Sequence, residues 1–177
     1  MHTTKIVITG GPGTGKSSII NGLIKRGYFC LEEISRQVTL EARKEGTEQL
    51  FLTNPLLFSQ KILTARKQQF TDAENSAKSL IFFDRGMPDV LAYMNFIGDS
   101  YPEEFVNECK NHSYDAVFVL KPWKAIFKSD SERYETFEQA VEIHDFLINI
   151  YSQFNYQLND VPFGTVDERI DYILNHF

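Results

Sequence analysis

The sequence has no apolar run approaching the roughly 20 residues that a membrane-spanning helix needs. Residues 1–10 lack the basic region followed by a long apolar stretch that marks a secretory signal peptide. Positive charge is also scarce: 18 Lys and Arg against 24 Asp and Glu give a net charge of -6, which argues against an extended nucleic-acid surface. We therefore expect a cytoplasmic protein with no membrane or nucleic-acid partner, and the sequence does not indicate its oligomeric state.

Cysteine is the next scarce residue. Cys30 and Cys109 form no Cys-x-x-Cys or Cys/His spacing, so no zinc site is indicated. We expect two reduced, partly buried thiols. A chain of 177 residues, 42% of them hydrophobic, is long enough to bury one core, and residues 1–177 are predicted to form a single domain.

Short apolar runs alternate with segments of helical periodicity along the chain. The predicted strands are residues 5–9, 28–31, 79–83, 114–120 and 156–161. The predicted helices are residues 17–26, 34–44, 55–74, 88–97 and 103–110, followed by two that open with capping boxes at Thr136 and Thr165. Such alternation predicts right-handed βαβ units in an α/β fold, with a mostly parallel sheet covered by helices on both faces.

The clearest motif lies at residues 10–17, which read Gly-Gly-Pro-Gly-Thr-Gly-Lys-Ser and match G-x-x-x-x-G-K-[ST] at every fixed position. Phosphate oxygens need several backbone N–H donors converging on one point, and only a glycine-rich chain wraps so tightly. The following helix aims its free N–H groups at the anion. Because the motif follows a predicted strand and opens a predicted helix, it indicates a phosphate loop.

The phosphate loop indicates ATP or GTP with Mg²⁺ as the bound cofactors. Lys16 would place its charge on the β- and γ-phosphates, and the Ser17 hydroxyl would bind Mg²⁺. The expected nucleotide contacts are the loop residues and the serines that follow them: Gly11, Gly13, Thr14, Gly15, Lys16, Ser17 and Ser18.

A second signal is the apolar run Leu-Ile-Phe-Phe that ends at Asp84. Phosphate-loop proteins place a metal-orienting carboxylate at the end of such a strand, so Asp84 is a candidate metal ligand or catalytic residue. Apolar strands also end in Asp merely because Asp favours turns. Arg85 follows directly and would place a guanidinium on a transferred phosphoryl group, or would form a surface salt bridge.

Charged residues also follow the second predicted strand. The carboxyl ends of parallel strands face the ligand crevice, so Glu33 would accept a proton from a substrate hydroxyl or bind a ribose. Arg36 lies one helical turn later and would point the same way. The alternative is an acidic helix start with an i,i+3 ion pair.

Residues 121–135 are polar, weakly periodic and predicted to form a mobile loop that acts as a lid. The segment gathers four cations: Lys121, Lys124, Lys128 and Arg133. A lid of this kind would close over phosphate charge and exclude water, with Arg133 as the preferred catalytic contact. A solvated charged loop is the alternative, and Trp123 would either stack on a base or simply anchor the loop.

Five sequence features together resemble one family. They are the phosphate loop, Glu33-x-x-Arg36, Phe-Phe-Asp84-Arg85-Gly86, the Arg133 lid and the closing Val-Pro-x-x-x-Val-Asp-Glu-Arg-Ile. This pattern resembles the AAA-like ATPase domain family that includes the ribosylnicotinamide kinase domain of NadR proteins. The resemblance covers nearly the whole chain, and only the phosphate loop is highly specific.

The resemblance implies a three-layer α/β/α P-loop NTPase fold of the nucleoside and nucleotide kinase type, with five strands in the order 2-3-1-4-5. It carries over nucleotide and metal contacts to four positions, which are Gly13, Gly15, Lys16 and Ser17. It further implies a metal-orienting or base role for Asp84 and an acceptor site at Glu33 and Arg36.

Two functional hypotheses follow. The leading hypothesis is a small-molecule kinase that transfers the γ-phosphoryl group of ATP to a nucleoside-like hydroxyl, with Lys16, Asp84, Glu33, Arg85 and Arg133 as the catalytic set. The alternative is an NTP-hydrolysing switch or binding module without a small-molecule acceptor. A nucleic-acid-remodelling ATPase fits the acidic charge poorly.

The phosphate-loop interpretation makes a direct prediction. Calorimetry should detect heat when Mg²⁺-loaded ATP or GTP is added to the wild-type chain, and Lys16→Ala should abolish or strongly reduce it, because the ammonium that neutralises the phosphates is gone. Absence of any heat from the wild-type chain would contradict the interpretation.

Overall fold

A computed structural model describes residues 3–128 and 135–177 and contains one five-stranded sheet in the order β2-β3-β1-β4-β5. Its strands, in chain order, are β1 Thr4–Gly10, β2 Phe29–Leu31, β3 Leu80–Asp84, β4 Ala116–Leu120 and β5 Leu158–Val161. All four pairings are parallel. The predicted strand order is thus confirmed, and the sheet is wholly rather than mostly parallel.

Helices connect the strands and occupy both faces of the sheet. In chain order they are α1 Lys16–Lys25, α2 Ser35–Lys44, α3 Leu50–Thr53, α4 Pro55–Glu74, α5 Met87–Ile97, α6 Glu103–Asn111, α7 Phe137–Gln153 and α8 Val166–Leu174. The short α3 is absent from the sequence prediction, since a single turn carries no periodic signal. Within the described ranges, no helix combines the length and apolar character that crossing a bilayer requires.

Side-chain caps fix where three of the helices begin. Asn54 accepts a hydrogen bond from the backbone N–H of Leu57 at 3.1 Å and is followed by proline at the first helical position. Both predicted capping boxes form, one at Thr136 and one at Thr165. These caps satisfy backbone donors that a helix start leaves unpaired.

Alternate residues of each strand enter two separate cores. Val7 and Phe83 lie in a cluster with α4, α5 and α7, whereas Ile6 and Ile8 lie in a cluster with α1 and α8. Successive side chains of a strand point to opposite faces, so a continuous apolar run is needed where both faces are covered. The predicted three-layer α/β/α arrangement follows from this pattern.

The strand register decides which side chains meet the phosphate loop. Ile8 of β1 lies beside Asp84, the last residue of β3, and the backbone N–H of Arg85 donates to Ile8 O at 3.0 Å. On the other side Gly10 lies beside Leu120 at the end of β4. The chain segments after β2, β3 and β4 therefore leave the sheet at the edge that carries the phosphate loop.

Two neighbours on α1 provide a test of the packing. Leu23 and Ile24 are adjacent apolar residues, but Leu23 is fully buried whereas Ile24 is 39% exposed. Leu23→Ala should lower the free energy of unfolding by about 2–5 kcal/mol because it leaves a cavity, and Ile24→Ala should lower it by about 1 kcal/mol or less. Urea unfolding followed by circular dichroism measures both, and equal losses would contradict this packing.

Candidate nucleotide and phosphoryl-transfer site

The phosphate loop connects β1 to α1, and glycine is required at two of its positions. Gly13 and Gly15 adopt φ values of 72° and 85°, in the left-handed region that side chains disfavour. A Cβ atom at Gly13 would clash with the Phe127 ring, whereas one at Gly15 would meet the end of the Arg169 side chain at 2.9 Å. The backbone conformation therefore requires glycine at both positions, and the Phe127 ring adds a steric reason at Gly13.

Lys16 links the phosphate loop to the neighbouring strand. Its ammonium donates to Asp84 Oδ1 and lies 3.7 Å from Glu33 Oε2. Burial and the nearby Arg85 lower the pKa of Lys16, and the two carboxylates counteract that effect. In this structure Lys16 is paired with protein carboxylates, in a position from which it could turn to a phosphate.

The residues predicted to bind Mg²⁺ have suitable chemistry. The Ser17 side chain is exposed, and its hydroxyl makes no hydrogen bond to any residue that the structure describes. Asp84 is only 6% exposed and supplies a carboxylate beside the loop. Mg²⁺ is commonly held by one or two protein oxygens together with substrate phosphates, and this pair fits that requirement.

Glu33 lies after β2 and is held by two guanidinium groups. Arg85 Nε donates to Oε2 at 2.6 Å, and Arg66 Nη2 donates to Oε1 at 3.1 Å. Burial alone would raise the pKa of Glu33, but the positive charges of Arg85, Arg66 and Lys16 outweigh burial and lower it. The Glu33 side chain is therefore an ordered carboxylate in its charged form.

Arg85 occupies a backbone conformation unusual for its residue type, with φ of 73°. Its guanidinium reaches back to the Gly10 carbonyl at 3.0 Å and to Asp89 Oδ1 at 3.3 Å, and it lies over the Tyr93 ring at 5.3 Å. A non-glycine residue at positive φ persists only where its surroundings hold it there. Arg85 is thus a fixed component of the site rather than a surface salt bridge.

Sequence reasoning missed Asp89, a carboxylate that is only 1% exposed. It accepts hydrogen bonds from the hydroxyls of Thr9 at 2.5 Å and Tyr151 at 2.6 Å, and from the backbone N–H of Gly86 at 3.0 Å. Burial and the Asp89 charge raise the pKa of Tyr151, so Tyr151 stays a donor. Asp89 follows proline in a helix start, and nothing in that context distinguishes it from an ordinary capping residue.

We use the name ion-pair cluster for six connected side chains: Lys16, Glu33, Arg66, Asp84, Arg85 and Asp89. The cluster brings together the predicted Lys16, Glu33, Asp84 and Arg85, and adds two residues that were not predicted. Arg36 lies exposed in the first turn of α2, and Ser18 is exposed at the start of α1. Arg133, the predicted lid residue, lies outside the described residues.

Residues 121–128, the described part of the predicted lid, pack against the phosphate loop through apolar side chains. Phe127 lies against Gly13 and Ile126 lies near Gly15. Trp123 stacks on Phe163 with ring centroids 4.8 Å apart. These contacts support the interpretation of Trp123 as an anchor. Apolar side chains attach this part to the phosphate loop, and Lys121 adds an ion pair with Asp160 at 2.7 Å.

Arg169 of α8 holds the phosphate loop through a backbone carbonyl. Its two terminal nitrogens both donate to the Thr14 carbonyl at 3.1 Å, and the guanidinium lies 5.7 Å from the centre of the Trp123 ring. Arg169 is only 2% exposed. In the sequence, Arg169 lies in the segment Val-Asp-Glu-Arg-Ile. An arginine among charged residues at the start of a helix has the pattern of an exposed residue, so the sequence does not indicate that it is buried.

The chain is similar to known proteins in its family and in its fold. A family model described as an AAA domain matches residues 5–169, and no curated protein matches in sequence. Deoxyadenosine kinase from M. mycoides, solved with the products dCMP and dCDP, is 22% identical with a TM-score of 0.71 and 98% coverage of both chains. A NadR protein in complex with NR is 14% identical with a TM-score of 0.73, and 98% of this chain covers 50% of it. At these identities the two structures establish the fold.

Arg169 generates the next prediction. Arg169→Met should raise the dissociation constant for Mg-ATP about tenfold, or about 1.4 kcal/mol, because two charge-assisted bonds to the Thr14 carbonyl are lost. Arg26→Met is the matched control. Arg26, which follows α1, pairs at the surface with Asp167 and Asp171 of α8, and surface ion pairs contribute little to stability. Equal affinities of both variants and the wild type by calorimetry would contradict the assigned role.

Proposed function

The chain belongs to the AAA domain family, and on that premise we propose that it is an ATP-dependent kinase acting on a hydroxyl of a small nucleoside-like molecule. The observation that carries the proposal is Glu33, whose Oε2 lies 3.7 Å from the ammonium of Lys16. A lysine in this loop contacts the terminal phosphates of a bound nucleotide. A carboxylate this close to the lysine would lie beside the terminal phosphate, where it could orient the attacking group for phosphoryl transfer.

In the proposed reaction, the acceptor oxygen attacks the γ-phosphorus of ATP in line with the β,γ-bridging oxygen. The new bond joins the acceptor oxygen to phosphorus, the bridging P–O bond breaks, and ADP leaves with that electron pair. The acceptor proton passes to the Glu33 carboxylate. A carboxylate of lowered pKa is a weak base, which suits a loose transition state in which the proton leaves late and orientation matters most.

The cations of the site stabilise the charge that spreads over the transferred group. Lys16 would exchange its carboxylate partners for phosphate oxygens, and Arg85, which is hydrogen-bonded to Glu33, would supply a second cation to the transferred group. Ser17 and Asp84 would hold Mg²⁺, which when bound supplies charge neutralisation on the phosphates. We include Arg133 as a further phosphate contact on the basis of the sequence alone.

The nucleoside-like class of the acceptor is supported by the two structural relatives. One is named a deoxyadenosine kinase and carries dCMP as a product, and the other is a NadR protein that binds NR. Both ligands contain a pentose. The chain spans half of the NadR protein, so only the corresponding half of that protein bears on the proposal.

The proposal predicts acceptor-stimulated release of ADP. A panel of ribonucleosides, deoxyribonucleosides and ribosylated vitamins, incubated with Mg-ATP or Mg-GTP, should contain at least one compound that accelerates nucleotide turnover and appears phosphorylated by mass spectrometry. Glu33→Gln should lower kcat by about a hundredfold or more, since it removes the proton acceptor. Glu32→Gln, a change of the exposed neighbour, is the matched control and should leave kcat unchanged.

The alternative, a hydrolysing switch, has a distinct outcome in the same assay. Nucleotide turnover that yields inorganic phosphate, ignores every acceptor and survives Glu33→Gln would overturn the kinase proposal.

A further inference from the structure

We propose that Arg66, a residue within α4, is a positioning residue that orients Glu33 for phosphoryl transfer. This inference rests on the proposed function, because the orientation of Glu33 matters only if an acceptor binds beside it. Arg66 is 3% exposed, and a guanidinium is costly to bury unless its charge is paired. Its partners therefore indicate why an arginine occupies this position.

Arg66 contacts the oxygen of Glu33 that Arg85 does not. Oε1 accepts from Arg66 Nη2 at 3.1 Å and from the Ser35 backbone N–H at 3.3 Å, whereas Oε2 accepts from Arg85 Nε at 2.6 Å. Donors on both oxygens fix the plane of the carboxylate. Without Arg66, Oε1 would keep only the longer contact with the Ser35 N–H, so the carboxylate would be held less firmly in its plane.

The second contact of Arg66 is with the backbone next to Arg85. Nη1 donates to the Gly86 carbonyl at 2.8 Å, one residue after the positive-φ position of Arg85. One guanidinium thus joins the chain after β2 to the turn between β3 and α5. Removing it would therefore loosen both members of the Glu33–Arg85 pair.

Charge neutralisation alone does not explain Arg66. Glu33 is also faced by Lys16 from α1 and Arg85 from the β3–α5 turn, and Tyr93 of α5 lies under the Arg85 guanidinium. Without Arg66 the carboxylate would keep two cationic neighbours but would lose the shorter of its two donors on Oε1, so its charge would persist while its orientation would be less fixed. The main loss is therefore expected in kcat rather than in nucleotide affinity.

Three variants separate these effects. Arg66→Met removes the charge and both hydrogen bonds. Arg66→Lys keeps the charge, but an ammonium does not present the two-pronged donor geometry that spans Glu33 and the Gly86 carbonyl. The Nε atom of Arg66 has no hydrogen-bond partner among the described residues, so the lysine variant loses nothing there. Lys67→Met is the control, because Lys67 is adjacent but pairs with Glu108 at the surface.

The measurements are kcat against pH, the Mg-ATP dissociation constant by calorimetry, and titration of the Glu33 carboxyl by ¹³C NMR, assigned with Glu33→Gln. For Arg66→Met we expect kcat to fall about tenfold or more, since misorientation near a reacting group is costly, with little change in Mg-ATP affinity. Loss of a cation raises the pKa of Glu33, so the acidic limb of the kcat profile moves to higher pH. Arg66→Lys should recover part of kcat, and Lys67→Met should match the wild type.

Two results would overturn the inference. The first is wild-type kcat and an unmoved Glu33 titration in Arg66→Met, or in Arg66→Lys if the methionine variant does not fold. The second is a parallel loss of kcat and Mg-ATP affinity without a shift of the titration or the pH profile, which marks a purely structural role. If the wild type shows no acceptor-stimulated turnover, the kinase proposal fails separately, and the NMR titration still decides whether Arg66 controls Glu33.

Discussion

Three cations and three carboxylates lie together at the carboxyl edge of the sheet, and the cost of burying charge requires that they remain paired. The ion-pair cluster achieves this by linking Asp84 to Lys16, Lys16 to Glu33, and Glu33 to both Arg66 and Arg85. Each link joins a different element, so the relative positions of α1, α4 and the ends of β2 and β3 depend on the same charges. Under the proposed function, a nucleotide would enter this arrangement by exchange: Lys16 would leave protein carboxylates for phosphates, and Asp84 would become available to a metal ion.

The sheet topology explains why much of this site was predictable. Parallel strands bring their carboxyl ends to one edge, so a glycine-rich loop after β1, an acidic residue after β2 and Asp84 at the end of β3 had to converge there. Two observations show this convergence: Ile8 of β1 pairs in register with Asp84 of β3, and Arg85 after β3 donates to Glu33 after β2 at 2.6 Å. Strand order came from the family resemblance, since periodicity alone does not specify which strands are neighbours.

The residues that were missed belong to helices rather than to strand ends. Arg66 stands among polar residues of α4, and Arg169 stands in a charged first turn of α8, so each has the local pattern of a solvent-facing arginine. Their burial depends on elements distant in sequence: Arg66 meets the turn after β3, and Arg169 meets the Thr14 carbonyl 155 residues away. Tyr151 and Asp89 were missed for the same reason, because a helix pattern indicates a buried face but not the polar group that the face will contact.

The packing of residues 121–128 places a fluorescent side chain next to the phosphate loop. Trp123 is the only tryptophan in the chain. Its indole contacts the Phe163 ring and the guanidinium of Arg169, and that guanidinium donates to the carbonyl of Thr14. Indole emission responds to stacking and to nearby charge. Any rearrangement of the glycine-rich turn that pulls on Arg169, or lifts Phe127 from Gly13, will therefore alter the intrinsic fluorescence of the protein without an added dye.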